Sequence, residues 1–305
     1  MTNSLGSLIR FILPLALVYL IYNSFGAVAA LLALIVFILS SLILNRGMML
    51  QNQASKKYQK GDFEGALNDL KAAVAKDPKN AKIRSTYAFL LLKLGYHDEA
   101  GVQLEEAFKT APEADKNSMK VTKALILWKQ GKLDEAIDLL TELIKDYETT
   151  NVYATLGFLL IEKGDLERAL EFNLQAKDYN SSSPIILDNL GTTYFLLGEV
   201  DKALETHEEA MKCKPNFPEA FYNYARVLEK TGDIEKALYM TRHALTLRFW
   251  NTSTVTKEEV EAYMKTLEEK EQAFQAELAE KKKLAREAAV SQDDAQEEPV
   301  NTQDE

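Results

Sequence analysis

The chain has 305 residues, 47% hydrophobic and 27% charged, which is enough apolar material to bury a core. Its 36 Lys and Arg residues and 46 Asp and Glu residues give a formal net charge of -10. This balance argues against a broad nucleic-acid interface, because such interfaces depend on clustered cations. Cys213 is the only cysteine, which excludes an intramolecular disulfide and CxxC metal or redox sites.

The N-terminal 45 residues differ in composition from the rest of the chain. Only one charged residue, Arg10, lies within residues 8–44, and the polar pair Asn23 and Ser24 interrupts this apolar run. A helix needs about 20 apolar residues to cross a bilayer. We therefore predict a two-helix transmembrane hairpin within residues 1–45. Its predicted spans are residues 4–22 and 25–44.

A cleavable signal peptide is the alternative for this region, because Arg10, an apolar stretch and the small residues 27–30 resemble its three parts. The apolar run continues through residues 31–44, which favours a retained anchor. Arg10 lies toward the N-terminal side of the predicted hairpin, further cations follow it and none lies in its turn, so the positive-inside rule predicts a cell-membrane protein with both termini and the repeats in the cytoplasm. The cations after the second span are Arg46, Lys56, Lys57 and Lys60.

A pattern of small residues then repeats six times within residues 47–251. Its turn glycines recur at spacings of 34, 36, 33, 34 and 34 residues, and an alanine stands five residues after each. The turn glycines are Gly61, Gly95, Gly131, Gly164, Gly198 and Gly232. A small column stands seven residues before them: Ala54, Ala88, Ala124, Gly157, Gly191 and Ala225. Glycine can end a helix in a left-handed conformation and small residues let helices cross closely, so the pattern predicts helix-turn-helix units.

These columns resemble the tetratricopeptide repeat (TPR) family, whose repeats are helix pairs of about 34 residues. Residues 232–237 (GDIEKA) and 189–194 (NLGTTY) are similar to its consensus. The resemblance implies an all-α, right-handed superhelical solenoid in which the first helix of each pair lines a concave face. The six predicted repeats are residues 47–80, 81–114, 117–150, 150–183, 184–217 and 218–251.

Three columns on the first helices contain the predicted partner contacts. The resemblance implies that an asparagine ladder nine residues before the turn glycine grips a peptide backbone in some family members. The candidates in this column are Asn189, Asn223 and Thr155. Aromatic residues three or six positions before the glycine would form an apolar trough for an amphipathic helix or an extended peptide. These candidates are Phe89, Trp128, Phe158 and Phe195. The alternative is structural, with the polar residues bonded to neighbouring backbone and the aromatic residues in the core between repeats.

The sequence after the repeats predicts one more helix and a tail. Residues 256–259 (TKEE) form a capping box that opens a helix predicted over residues 256–288. Its apolar stripe is predicted to cap the last repeat and then to continue as a short coiled coil. The stripe is Val260, Met264, Leu267, Phe274 and Leu278. Residues 289–305 are acidic and poor in bulky apolar side chains, which predicts a disordered tail.

The chain offers little chemistry for an enzyme. His97, His207 and His243 stand in separate repeats, the sequence contains no P-loop or dinucleotide fingerprint, and Cys213 has no evident base. We therefore predict no catalysis, no metal, no cofactor and no nucleic-acid partner. The leading hypothesis is a membrane-anchored scaffold that binds a peptide or helix of a partner protein in its concave groove. A self-associating structural protein and an envelope-assembly factor with its repeats outside the cytosol remain alternatives.

Overall fold

The computed structural model describes residues 2–294, with side chains described for residues 12–40 and 45–286. Within this range the chain forms fourteen α-helices and no strand. The fold class is therefore all-α, as the sequence predicts. The first six residues of the predicted disordered tail, 289–294, are helical, so the predicted helix end at residue 288 is wrong; the rest of the tail, from residue 295 onward, lies outside the described residues.

The N-terminal helix α1, Thr2–Leu44, is interrupted at a single residue. Gly26 has φ 83° and ψ 179°, a conformation open essentially to glycine alone. The sequence-based prediction put the interruption at Asn23 and Ser24, and this position is wrong, because both residues remain helical. The stretch Ile12–Ser40 is apolar and long enough to span a membrane, and almost none of it is buried within the protein.

Twelve helices follow α1 in the described chain as six consecutive pairs, each joined by a short turn with one turn glycine. The first three pairs are α2 (Arg46–Gln59) with α3 (Phe63–Lys76), α4 (Ala81–Lys93) with α5 (His97–Thr110), and α6 (Glu113–Lys129) with α7 (Leu133–Leu143). The other three are α8 (Thr150–Lys163) with α9 (Leu166–Tyr179), α10 (Pro184–Leu196) with α11 (Val200–Lys212), and α12 (Pro218–Thr231) with α13 (Ile234–Thr246).

Local sequence determines these turns. All six turn glycines have φ between 77° and 92°, in the left-handed region. An L side chain in this region costs about 1–2 kcal/mol, so each glycine favours its turn. In three pairs an aspartate follows the glycine and accepts a hydrogen bond from the backbone N–H three residues later, which caps the second helix. These aspartates are Asp62, Asp165 and Asp233.

The chain divides into two units, residues 1–126 and 127–305. The first is held together by an apolar cluster in which Leu91, Leu92 and Leu104 are no more than 1% exposed. Burial of each such leucine contributes about 2 kcal/mol. Ala54 and Ala88 of the small column belong to the same cluster and are at most 2% exposed, because the helices cross there at close range.

In the second unit the small column contains glycine at two crossings. A Cβ at Gly157 would lie 2.0 Å from Oδ1 of Asn173, and one at Gly191 would lie 2.8 Å from the ring of His207. Asn173 and His207 are both fully buried. Glycine therefore replaces alanine where a buried polar side chain fills the crossing.

The last helix, α14 (Lys257–Asp294), opens with the predicted capping box. The Thr256 N–H donates to Glu259 at 2.7 Å, and the Glu259 N–H donates to the Thr256 hydroxyl at 3.2 Å. Val260 and Leu267 are fully buried against α12 and α13, so the first part of α14 covers the last helix pair. Beyond residue 271 almost every described side chain is exposed, and the coiled coil stays a prediction.

Candidate functional site

The candidate site is the first-helix face of the second unit. We define this face by its side chains, which lie on α8, α10, α12 and the last turn of α6. Each stands two to thirteen residues before the turn glycine that ends its helix. Trp128 on α6 and Phe158 on α8 pack edge to face there, with ring centroids 4.6 Å apart. Lys129 Nζ lies 3.7 Å from the Trp128 ring centroid. Two predicted aromatic contacts and one cation thus form a single patch, and all three side chains are partly exposed.

Phe195 on α10 belongs to a second patch, which reaches α14. The Arg226 guanidinium lies 5.0 Å from the Phe195 ring centroid and 5.7 Å from that of Tyr222. Tyr222 packs edge to face with Tyr263 of α14 at 5.3 Å. The Tyr263 hydroxyl donates to Glu229 at 2.7 Å, and Lys270 pairs with the same carboxylate. Helix α14 therefore covers the part of the face that α12 provides.

The remaining aromatic candidate, Phe89, belongs to α4 in the first unit. Phe89 is 40% exposed, and Lys93 Nζ lies 5.2 Å from its ring centroid. This pair is a local cation–π contact between residues one helical turn apart.

The two candidate asparagines connect consecutive first helices. Nδ2 of Asn189 donates to the Ala154 carbonyl at 2.8 Å, and Asn189 is only 7% exposed. Nδ2 of Asn223 donates to the two carboxylate oxygens of Asp188 at 3.2 and 3.3 Å. Thr155 is partly exposed. Both amides are thus engaged by neighbouring repeats, which is the structural role that the sequence left open; peptide binding by this column stays a prediction.

A buried polar layer beneath this face was missed by sequence reasoning. Asp188 is 5% exposed and His207 is fully buried, with 3.6 Å between Oδ1 and Nδ1. Burial raises the pKa of Asp188 to about 7. It lowers the pKa of His207 to about 3, and the nearby charge of Arg226 acts in the same direction. The sequence signal for this layer was Gly191, because most other repeats have alanine at the corresponding position. The glycine makes room for the His207 imidazole.

The segment between α13 and α14 also reaches the first-helix face. We call residues 248–256 the crossover segment. Its Ser253 carbonyl accepts a hydrogen bond from Lys129 Nζ at 3.4 Å, and its Thr254 N–H donates to Glu219 Oε1 at 3.1 Å. The segment therefore bridges the end of α6 and the beginning of α12.

The side chains of this face differ from those of a typical metal centre. Within the described residues, no group of three His, Cys, Asp or Glu side chains is placed to hold a metal ion. Burial lowers the pKa of Lys129, while Glu162 and Glu219 act in the opposite direction. The patch thus combines aromatic rings with one cation and two carboxylates.

Comparisons with known proteins agree with this architecture. Two family models, both described as tetratricopeptide repeat, match residues 57–119 and 124–248. No curated protein matches the chain. A tetratricopeptide repeat protein from Parabacteroides merdae is 13% identical, with a TM-score of 0.62 over 83% of this chain and 97% of that one.

Two further solved structures are similar. PilW, described as a widely conserved type IV pilus biogenesis factor, is 15% identical with a TM-score of 0.54, over 66% of this chain and 92% of that one. The Pseudomonas aeruginosa protein pilF is 16% identical with a TM-score of 0.51, over 65% and 89%. At these identities the likeness concerns the fold alone.

Proposed function

The chain belongs to the tetratricopeptide repeat family, and we propose on this premise that it is a membrane-anchored scaffold that binds a peptide segment of a partner protein. Repeats of this family generally mediate protein–protein interaction. The observation that carries the proposal is the patch of Trp128, Lys129 and Phe158, whose rings and cation remain partly exposed on the first-helix face. Aromatic anchors of this kind dominate the binding energy of many interfaces.

The anchor in this proposal is a two-span hairpin that reverses at Gly26. Partly or fully buried positions recur on one side of each half of α1, at the three- and four-residue spacings of a helix face. These positions are Pro14, Val18, Ile21, Ala29, Ala30, Ala33 and Leu34, and Ser40 is partly buried as well. Packing of the two halves against each other accounts for this pattern and supports the hairpin, since small residues let membrane helices approach closely.

Each half of α1 has a length suited to this anchor. Residues 2–25 would extend over about 36 Å and residues 27–44 over about 27 Å at 1.5 Å per residue, against a hydrocarbon core of about 30 Å. Arg10 in the N-terminal part of the first half and the cations that follow the second half support, by the positive-inside rule, a cytosolic location of both termini and of the repeats. A reporter that is active on only one side of the membrane, fused after Glu305, tests this orientation. Activity outside the cytosol would favour the envelope-assembly alternative.

Site-specific crosslinking tests the binding proposal. A photo-reactive residue replaces Phe158 in the full-length chain in native membranes, and a matched variant carries it at Tyr239, an aromatic residue 66% exposed on the second helix α13. We expect a partner protein to be captured at position 158 and not at position 239. Capture at position 239 alone would contradict the proposal.

The self-association alternative predicts a different outcome. A chain that associates through its anchor or α14 would yield a crosslinked product twice the mass of the chain, and mass spectrometry would identify this chain alone. The scaffold proposal predicts that peptides of a second protein are present in the product.

A further inference from the structure

The crossover segment lies where the proposed partner would bind, and it is fixed at both ends. Phe249 and Val255 pack into the apolar cluster that α12, α13 and the beginning of α14 build around Phe221 and Val260. Between these two anchors the chain is not helical. The residues between them therefore extend toward the first-helix face from a defined base.

The middle of the segment contacts the binding patch directly. Ser253 and Lys129 are 124 residues apart in the sequence, and the Lys129 ammonium donates to the Ser253 carbonyl. Lys129 also lies over the ring of Trp128, so the segment shares a cation with the aromatic patch. The Trp250 N–H donates to the Ser253 hydroxyl at 3.2 Å, which tightens the bend that presents this carbonyl.

The contacts indicate what kind of ligand the face accepts. Lys129 binds a backbone carbonyl and Glu219 binds a backbone N–H, so neither contact selects a side chain. Such paired backbone contacts suit a non-helical peptide, since a helix uses its own N–H and C=O groups internally. The crossover segment makes them as a bend, which two hydrogen bonds between Trp250 and Ser253 close. Residues 251–255 (NTSTV) are uncharged and mostly small. One cation set between the carboxylates of Glu162 and Glu219 provides no positive excess for an acidic ligand.

We propose that the crossover segment is an intramolecular occupant of the first-helix face, and that a partner binds by replacing it with a bent, uncharged segment of small and hydroxyl-bearing residues. This inference rests on the proposed function and adds the regulation and ligand class of that site. The occupant is tethered close to its site, so its effective concentration is high, on the order of millimolar for a short linker. A free segment of the same sequence therefore binds the unchanged chain weakly, and release of the tethered copy restores binding.

Release of the occupant tests this competition. The probe is a fluorescent synthetic peptide of residues 248–257, titrated against the full-length chain in detergent. Val255→Asp places a charge in the apolar anchor of the segment and releases it, whereas Val102→Asp makes the same change at a side chain that is 61% exposed on α5. We expect the peptide to bind Val255→Asp at least about tenfold more tightly than either the unchanged chain or Val102→Asp. Equal affinity for all three proteins would overturn the inference.

A variant with the crossover segment linked covalently to the first-helix face tests the same competition if Val255→Asp fails to fold. Lys129→Cys and Ser253→Cys, combined with Cys213→Ser, are joined by a short bis-maleimide linker that holds the segment in place. The linked protein should bind the peptide at least about tenfold more weakly than the same cysteine variant without the linker, which lacks the Lys129 ammonium equally. Linked and unlinked proteins that bind equally would overturn the inference.

Partner capture at position 158 separates this inference from the proposed function. Partner captured equally with and without Val255→Asp would refute the occupant and leave the scaffold proposal standing. Peptide binding that follows the predicted order, together with no captured partner, would refute the scaffold proposal and leave the occupant standing. Increased capture in Val255→Asp agrees with both.

Discussion

Replacement of Asp188 by asparagine should stabilise the protein, and more strongly at higher pH. The carboxyl is buried between repeats and receives both of its described hydrogen bonds from Asn223. Burial raises its pKa above the ordinary value, so the folded chain holds the proton more tightly than the unfolded chain. The stability of the unchanged chain therefore falls as the pH rises from about 4 to about 7. An asparagine at this position carries no charge and removes this dependence.

The size of the effect follows from the two pKa values. The folded value of about 7 exceeds the ordinary value of 3.8 by about 3 units, which corresponds to about 4 kcal/mol at 1.36 kcal/mol per unit. An amide at position 188 keeps one hydrogen bond from Asn223 and loses the other, at a cost of about 1 kcal/mol. We expect Asp188→Asn to be more stable by about 3 kcal/mol at pH 8 and by about 1 kcal/mol or less at pH 5.

Equilibrium unfolding in denaturant measures both values. The full-length protein in detergent is unfolded at pH 5 and pH 8, and its helix content is followed by circular dichroism. His207 lies 3.6 Å from Asp188 and is present in both proteins, so the difference between them reports the carboxyl together with its contact to this imidazole. A stability difference that is the same at both pH values, or that shrinks as the pH rises, would refute the reasoning.

Three further substitutions test other parts of the structure by the same unfolding measurement. Gly191→Ala brings a Cβ to 2.8 Å from the buried His207 ring, and we expect a loss of about 1–3 kcal/mol from overpacking; unchanged stability would contradict the crossing geometry. His207→Asn removes an imidazole whose pKa is lowered by burial to about 3, so the variant should gain stability relative to the unchanged chain as the pH falls from about 6.5 toward 4. The opposite trend would exclude a buried neutral histidine. Gly198→Ala places a side chain at φ 83°, and a loss of about 1–2 kcal/mol is expected; no loss would mean that the turn does not need glycine.

The features that the sequence predicts well are local ones. A turn glycine followed by Asp165 needs only its neighbours to end one helix and cap the next, and the structure has both. The small column can also be predicted from the sequence, because a close crossing between the two helices of a pair excludes large side chains wherever it occurs. The position at which α1 is interrupted could not be predicted from polar residues. Asn23 and Ser24 stay helical, and the helix is interrupted at Gly26, because glycine can adopt a backbone conformation that other residues essentially cannot.

Features that depend on distant contacts could not be predicted in this way. The partners of Asn189 and Asn223 lie 35 residues earlier on the preceding first helix, and their identity depends on the stacking of repeats. The glycine at position 191 was visible as a departure from alanine, but its reason requires knowing that His207 fills the crossing. Contact between Lys129 and Ser253 joins residues 124 apart, and no repeat pattern specifies the path of the crossover segment.

The central claim is that a partner protein binds the first-helix face of the second unit, and the effect of one aromatic anchor on partner affinity tests it most directly. The partner identified by crosslinking is titrated against the full-length chain, against Trp128→Ala and against Tyr239→Ala as a matched control on α13. A buried anchor contributes about 2 kcal/mol, so Trp128→Ala should weaken binding about thirtyfold while Tyr239→Ala leaves it unchanged. Unchanged affinity for a folded Trp128→Ala protein, with a loss at Tyr239→Ala, would contradict the account.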